Sequence, residues 1–377
     1  MTTGTVIRIE EAGLGPGAQV RLVLSGVDRL QELHRPWASS GATLERAGGR
    51  IRATTTVEAL ARAAGRTFDK AQAAEIDAVL RSAVASWAGE TPRVELPGEQ
   101  ELRCDERPLV MGVVNVTPDS FSDGGQLYPD GHPGRAIAHG RALIAQGADL
   151  LDVGGESSRP GAEPVHPAEE RERVLPVIEA LAPLGVPLSI DTTKAEVAAA
   201  AVDAGAVVVN DVSGARAEAL LDVVARAGVA YVLMHTRGTP ADMAEHAAYD
   251  DVVAEVHEFL AEGLMRCEHA GVPRERVLVD PGIGFAKTAV HNLELLRALR
   301  QLRSLGRPVA VGASRKSFLG AILGSNDPAD RLEGSLACAA LAAQAGAGVI
   351  RVHDVAATVR AVRTAHAIAT ARLPDDR

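Results

Sequence analysis

The residues able to do chemistry sit at regular points along this sequence. Short apolar runs recur from Leu109 onward, and nearly every one ends in polar side chains. These are Asn115, Gly154-Gly155-Glu156, Asp191, Asn210-Asp211, His235, Asp280, Ser314-Arg315-Lys316, and Arg351 with His353. A single Asp after a strand is commonly a helix cap. Eight runs in succession ending this way point instead to one lined mouth, as at the C-terminal face of a parallel barrel. Asp191, Asp280 and the amide of Asn210 form an unusual inner lining, because a buried carboxylate is costly unless it is hydrogen-bonded or paired. The alternative for Asp280 alone is an ion-paired core residue.

A ligand rich in N–H donors would satisfy those acceptors. A 2-amino-4-oxo pterin ring is one such ligand, since its amino group and adjacent N–H can donate in parallel to one carboxylate. The other side of the mouth is cationic, with Lys316, Arg351 and His353 following the last two runs. Phosphate is commonly bound by the loops after strands seven and eight of a barrel. Ser317 opens an apolar helical stretch whose backbone N–H groups face an anion well. Two Gly-rich loops, 117–125 and 154–161, are long enough to close over the mouth.

Positioning these groups requires the elements between them. The apolar runs are Leu109–Asn115, Asp149–Gly154, Pro187–Asp191, Ala206–Asp211, Val229–Met234, Val277–Asp280, Pro308–Gly312 and Val349–Val352. Helical segments such as Pro167–Leu181, Lys194–Ala204, Asp250–Ala270, Asn292–Leu305, Ala329–Ala345 and Val355–Ala369 separate or follow them. Strands alternating with helices imply a parallel sheet, and near-continuous apolar strands imply burial on both faces. Eight units predict a (β/α)8 TIM barrel over residues 106–377. A doubly wound sheet would usually open with a dinucleotide-binding turn, and no GxGxxG is present.

Residues 1–105 read differently, as a small N-terminal α+β accessory domain. Strand-like stretches occur at Thr5–Glu10, Gln19–Leu24 and around Ala42–Thr55, with helical patterns at Asp28–Trp37 and Asp69–Trp87. The stretch Gly89–Gly98 reads as a linker or crossing segment. No clustered catalytic pattern is visible there, so the expected role is packing or oligomerisation.

The bulk numbers bound the rest. The 377 residues fit one barrel plus an appendage. Against 39 Lys and Arg stand 49 Asp and Glu, a net charge of -10, which disfavours nucleic acid as a partner. Three widely spaced cysteines, Cys104, Cys267 and Cys338, form no CxxC pair and suit a reducing compartment. With no signal-like N-terminus and no membrane-length apolar run, the expected location is the cytoplasm.

Residues 109–371 resemble dihydropteroate synthases over the whole barrel. The resemblance is carried by Met111 to Gly125 (MGVVNVTPDSFSDGG), Asp152 to Gly161 (DVGGESSRPG), Asp191 to Lys194 (DTTK), Asn210 to Gly214 (NDVSG), Asp280 to Phe285 (DPGIGF), Ser314 to Ser317 (SRKS) and Arg351 to Asp354 (RVHD). Together, in this order, they are highly specific. The resemblance implies that Asp191, Asn210, Asp280 and Lys316 bind pterin. It implies that Asn115, Arg351 and His353 bind diphosphate, with Asn115 also reaching Mg2+. Ser158, Arg159, Pro160, Phe285 and Ser317 match the p-aminobenzoate set, and Asp119, Phe121 and Ser122 lie on the first loop. The catalytic residues implied are Asp191, Asp280, Lys316 and Arg351.

Departures from the family pattern are small. Ser158 stands where many relatives carry Thr, Thr236 where Met is frequent, and Ile283 and Ala286 where Phe and Gly are frequent. They bear on fine shape and on sulfonamide sensitivity, not on the reaction. The reaction implied joins p-aminobenzoate to a pterin diphosphate in folate synthesis, in a homodimer associating through the late helices. The alternatives are a pterin-dependent methyltransferase of the same barrel family and a noncatalytic pterin-binding homologue.

Overall fold

A computed structural model describes residues 6–12, 19–25, 43–47, 50–56, 91–117, 133–159 and 161–373. The expected helices at 28–37 and 69–87 lie outside them. Near the N-terminus, β1 (Val6–Ala12), β2 (Gln19–Ser25), β3 (Thr43–Ala47) and β4 (Arg50–Thr56) form an antiparallel sheet in the order β1-β2-β4-β3. Arg8 on β1 donates to Gln301 Oε1 at 3.2 Å, so this sheet meets the helical exterior of the second unit.

That unit is the barrel. Eight parallel strands, β7 (Leu109–Asn115), β8 (Leu150–Gly154), β9 (Leu188–Asp191), β10 (Val208–Asp211), β11 (Ala230–Met234), β12 (Val277–Asp280), β13 (Ala310–Val311) and β14 (Val349–Val352), run in the order β12-β11-β10-β9-β8-β7-β14-β13. An isolated parallel bridge, Val279 to Val309, joins the two ends and closes the ring. The neighbouring Val279 N–H donates to Pro308 O at 3.0 Å. Both faces of the strands are buried, which is why they read as apolar runs without alternation.

Nine described helices surround the ring: α1 (Gly134–Ala145), α2 (Pro167–Leu181), α3 (Ala195–Asp203), α4 (Glu218–Ala227), α5 (Val252–His269), α6 (Ala289–Arg297), α7 (Ser317–Leu323), α8 (Leu332–Gln344) and α9 (Val355–Thr370). Local chemistry sets their ends. Asp251 caps α5 by accepting from Ala254 N–H, and Thr288 forms a capping box with His291 on α6. Left-handed Gly228 and Gly324 terminate α4 and α7. The helix expected over 292–305 begins earlier, at Ala289, and tightens to a 3-10 turn from Leu299.

The stretch read as a linker is structural. β5 (Val94–Leu96) and β6 (Gln100–Leu102) make a hairpin that stoppers the barrel from below. Its Val94, Leu96 and Leu102, with Cys104, pack on the inward residues Met111, Leu150, Val208, Ala230, Leu278, Ala310 and Val349. Arg307 pins the hairpin by donating to Arg93 O at 3.0 Å while holding Val277 O and Glu275 O. Apolar contact therefore crosses the 105/106 boundary expected between the two units.

Candidate active site

Strand register carries the expected polar residues to one end of the barrel. Asn210 sits opposite Asp191, Asp191 opposite Gly154, and Gly154 opposite Asn115. Met234 pairs with Asp280 on the next strands round. Because paired residues of parallel strands share a face, Asp191 and Asn210 both point inward.

At the centre lies a connected polar network. Arg351 donates through Nε to Asp152 Oδ2 at 2.6 Å and through a terminal nitrogen to Asp191 Oδ2 at 2.9 Å. Asn210 Nδ2 donates to the same Asp152 oxygen at 3.0 Å. Asp152 is fully buried, and Asn210 and Asp280 nearly so. Burial and the nearby Asp152 push the Asp191 carboxyl well above its usual range, against the pull of Arg351. Asp280 Oδ1 accepts from Gly282 N–H at 2.7 Å, a turn that aims its carboxylate across the mouth. Burial raises Asp280 to about 6, opposed by that hydrogen bond and by Lys316, Lys287 and Arg351 around it. Only glycine serves at position 282: φ is 65°, and a Cβ there would lie 2.0 Å from His235 O.

The cationic side is built on the loops after β13 and β14. Lys316 Nζ lies 4.3 Å from the Phe285 ring centroid, a cation–π contact that places both beside Gly284. Burial lowers Lys316 to about 8, with Arg351 adding to the effect. His353 Nδ1 is 3.0 Å from Ser314 Oγ, and burial with Arg351 and Arg315 nearby holds the imidazole well below its ordinary value. Arg315 adopts φ 57° and grips Asp354 with two nitrogens, at 3.0 and 2.7 Å. Its N–H is taken by Ser335 Oγ and its carbonyl by Arg331. This strained residue thus locks together the two loops that bear Lys316 and His353.

The 154–161 loop is anchored at its base. Lys194 bridges Glu156, at 2.6 Å, and the fully buried Glu170 on α2. Arg173 donates to Gly155 O at 2.7 Å, and Gly161 N–H to Pro240 O at 2.8 Å. Ser158 and Arg159, on this loop, and Phe285 are described; Ser317 opens α7 at the surface. Pro160, Asp119, Phe121 and Ser122 lie outside the described residues.

Two groups in the site, Asp152 and Lys287, escaped sequence reasoning as site residues. Asp152 is a carboxylate inside an otherwise apolar strand, a signal visible in Leu150–Gly154. Lys287 contacts His235 Nδ1 at 2.8 Å and Phe285 O at 2.9 Å, and burial drives its ammonium far below the usual lysine range. His235, read from the sequence as a strand-end residue, is pushed down to about 2 by burial and then by Lys287. A lysine in the Gly-rich loop just after Asp280 was the available signal for Lys287.

Residues 111–353 match the family model described as pterin binding enzyme. The chain is 46% identical over 268 residues to the Escherichia coli K12 dihydropteroate synthase, covering 70% of this chain and 93% of that one. It is 49% identical over 261 residues to the Mycobacterium leprae enzyme, covering 67% and 91%. The chain belongs to the dihydropteroate synthase family. Solved structures of dihydropteroate synthases superpose on its barrel. The Yersinia pestis enzyme with a sulfonamide drug complex gives a TM-score of 0.70 at 42% identity, covering 74% of this chain and 99% of that one. The Xanthomonas albilineans enzyme in complex with 7,8-dihydropteroate gives 0.64 at 46% identity, covering 74% and 98%. These matches leave about a quarter of this chain uncovered.

Proposed function

We infer that the protein joins 6-hydroxymethyl-7,8-dihydropterin diphosphate to p-aminobenzoate, releasing 7,8-dihydropteroate and diphosphate. The observation that carries this is the single mouth in which the acceptors Asp191, Asn210 and Asp280 face the cations Lys316 and Arg351. The acceptors suit the donor edge of a pterin, and the cations suit its diphosphate. Solved relatives include a dihydropteroate synthase with 4-aminobenzoic acid and one in complex with 7,8-dihydropteroate.

In this reading the methylene C–O bond breaks as diphosphate leaves, and the aniline nitrogen forms the new C–N bond and sheds a proton. The fused ring spreads the developing positive charge, and the Asp191 and Asp280 carboxylates stabilise it electrostatically. No covalent enzyme nucleophile is required. Arg351 and His353 hold the departing phosphates and Lys316 holds the pterin beside them, while Ser158, Arg159, Phe285 and Ser317 line the p-aminobenzoate approach.

Asn115, at the end of β7, carries an amide oxygen and stands opposite Gly154 at the strand ends. No cluster of three His, Cys, Asp or Glu suited to a metal exists among the described residues. One hard oxygen donor fits Mg2+, which takes most ligands from water and substrate phosphates. When bound, Mg2+ would neutralise the diphosphate as a leaving group.

Association as a homodimer through the late helices is supported by the exposed Ile322, Leu323, Leu341 and Ile368 on α7, α8 and α9. No helix among the described residues is long and apolar enough to cross a membrane; with the family's small-molecule substrates, this supports a cytoplasmic enzyme. The test is a turnover assay with both substrates and Mg2+, following dihydropteroate. Pterin binding without product would instead mark a noncatalytic homologue.

A further inference from the structure

The fully buried carboxylate of Asp152 needs an explanation. It lies one layer below the strand ends, the only charged residue of β8, and one oxygen accepts from both Arg351 and Asn210. Its other oxygen, Oδ1, is buried without a partner among the described residues, as is the hydroxyl of Ser189 opposite it on β9. An apolar residue there would extend the barrel core without this desolvation, so stability alone does not favour Asp at 152. What the carboxylate does is orient two other groups. The shared oxygen accepts from Arg351, so the Asn210 edge facing it is the N–H edge, and the amide oxygen is thereby left for a ligand. The same oxygen holds Arg351 by Nε, which fixes the plane of the guanidinium while a terminal nitrogen reaches Asp191.

We propose that Asp152 is a positioning residue that sets the Asn210 amide and the Arg351 guanidinium at once, and so couples recognition of the pterin ring to recognition of its diphosphate. This rests on the reading of the mouth as a pterin diphosphate site. Asp152 itself touches no substrate in this arrangement and acts through its two partners.

The test compares Asp152→Ala with Asp152→Asn by calorimetry and steady-state kinetics. An Asn side chain can place its carbonyl oxygen where the shared carboxylate oxygen lies and accept both bonds. Asp152→Ala is expected to weaken bare pterin and to weaken pterin diphosphate further, so that the affinity ratio between them shrinks by roughly tenfold, the scale of a lost charged hydrogen bond. The KM for p-aminobenzoate should stay within about threefold of the parent, a difference too small to signal a lost charged hydrogen bond. Asp152→Asn should recover most of the ratio. A general loosening of the barrel would lower the affinities without changing their ratio and without rescue by Asn. An unchanged ratio in Asp152→Ala, or an equal loss in both variants, overturns the proposal. Should the alanine protein not fold, Asp152→Ser, which keeps a small polar group in the same space, carries the same comparison. Failure of the parent protein to bind pterin would instead overturn the underlying site reading.

Discussion

Asp280 carries the sharpest prediction at the scale of single residues. Its carboxylate is aimed by Gly282 and is nearly buried. Replacing it by Asn turns an acceptor into a partial donor and removes the charge, so pterin affinity should fall by about 2–5 kcal/mol. Calorimetry with bare pterin measures the loss, and an unaltered affinity would make Asp280 structural. The pH dependence follows from the same environment. Burial raises Asp280 to about 6, so below that pH the acid is neutral and affinity falls as pH falls. Burial lowers Lys316 to about 8, so above that pH the ammonium is lost and affinity falls as pH rises. The kcat/KM for pterin diphosphate should therefore be bell-shaped, with apparent limbs near 6 and 8 belonging to the whole network. The profile of kcat should be broader, since bound pterin diphosphate favours both the carboxylate and the ammonium. Most of these residues were legible in the sequence because each ends an apolar run. Asp152 was not, because one carboxylate within a strand looks like any interior position until the far-away Arg351 and Asn210 are folded onto it.

Elements show the same division between what periodicity reveals and what tertiary contact decides. The barrel strands were legible as buried apolar runs, and the strands of the N-terminal sheet fell where β-rich stretches stood. The hairpin of β5 and β6 was not, since two three-residue strands broken by Pro97 and Gly98 carry no usable period. Its identity comes from the apolar barrel floor it covers. The shortening of α6 has a similar origin: Leu299, Leu302 and Leu305 keep an apolar repeat of three, which suits the 3-10 turn. The 154–161 loop offers a test at this scale. Lys194→Met would strip the cation from Glu156 and from Glu170, whose side chain has no exposure. Removing one partner of a buried pair costs about 3–5 kcal/mol, so a lower melting temperature is expected. The loop bearing Ser158 and Arg159 should lose its base as well, raising the KM for p-aminobenzoate more than that for pterin diphosphate. Equal changes in both would mean that the anchor supports the barrel and not the loop.

For the whole molecule, the catalytic candidates all follow Leu109, while the barrel's floor begins near position 91. A protein starting at Thr91 should therefore retain turnover. One starting at Arg103 loses Val94, Leu96 and Leu102, each worth roughly 1.5–3 kcal/mol when fully buried, and should aggregate or melt early. Loss of activity in a folded protein starting at Thr91 would bring the N-terminal sheet into the mechanism. The closure of the ring adds one more expectation. Other neighbouring strands share from two to five register pairs, but β12 and β13 meet at the single bridge of Val279 and Val309. A hoop fastened by one clasp springs first at the clasp. Asp280 stands on one side of this clasp and Lys316 on the other, so a pterin diphosphate touching both acts as a rivet across it. Hydrogen exchange at the Val279 amide should slow when that substrate binds, and more than exchange at amides between β8 and β9. The substrate, in that sense, completes the wall of the vessel that holds it.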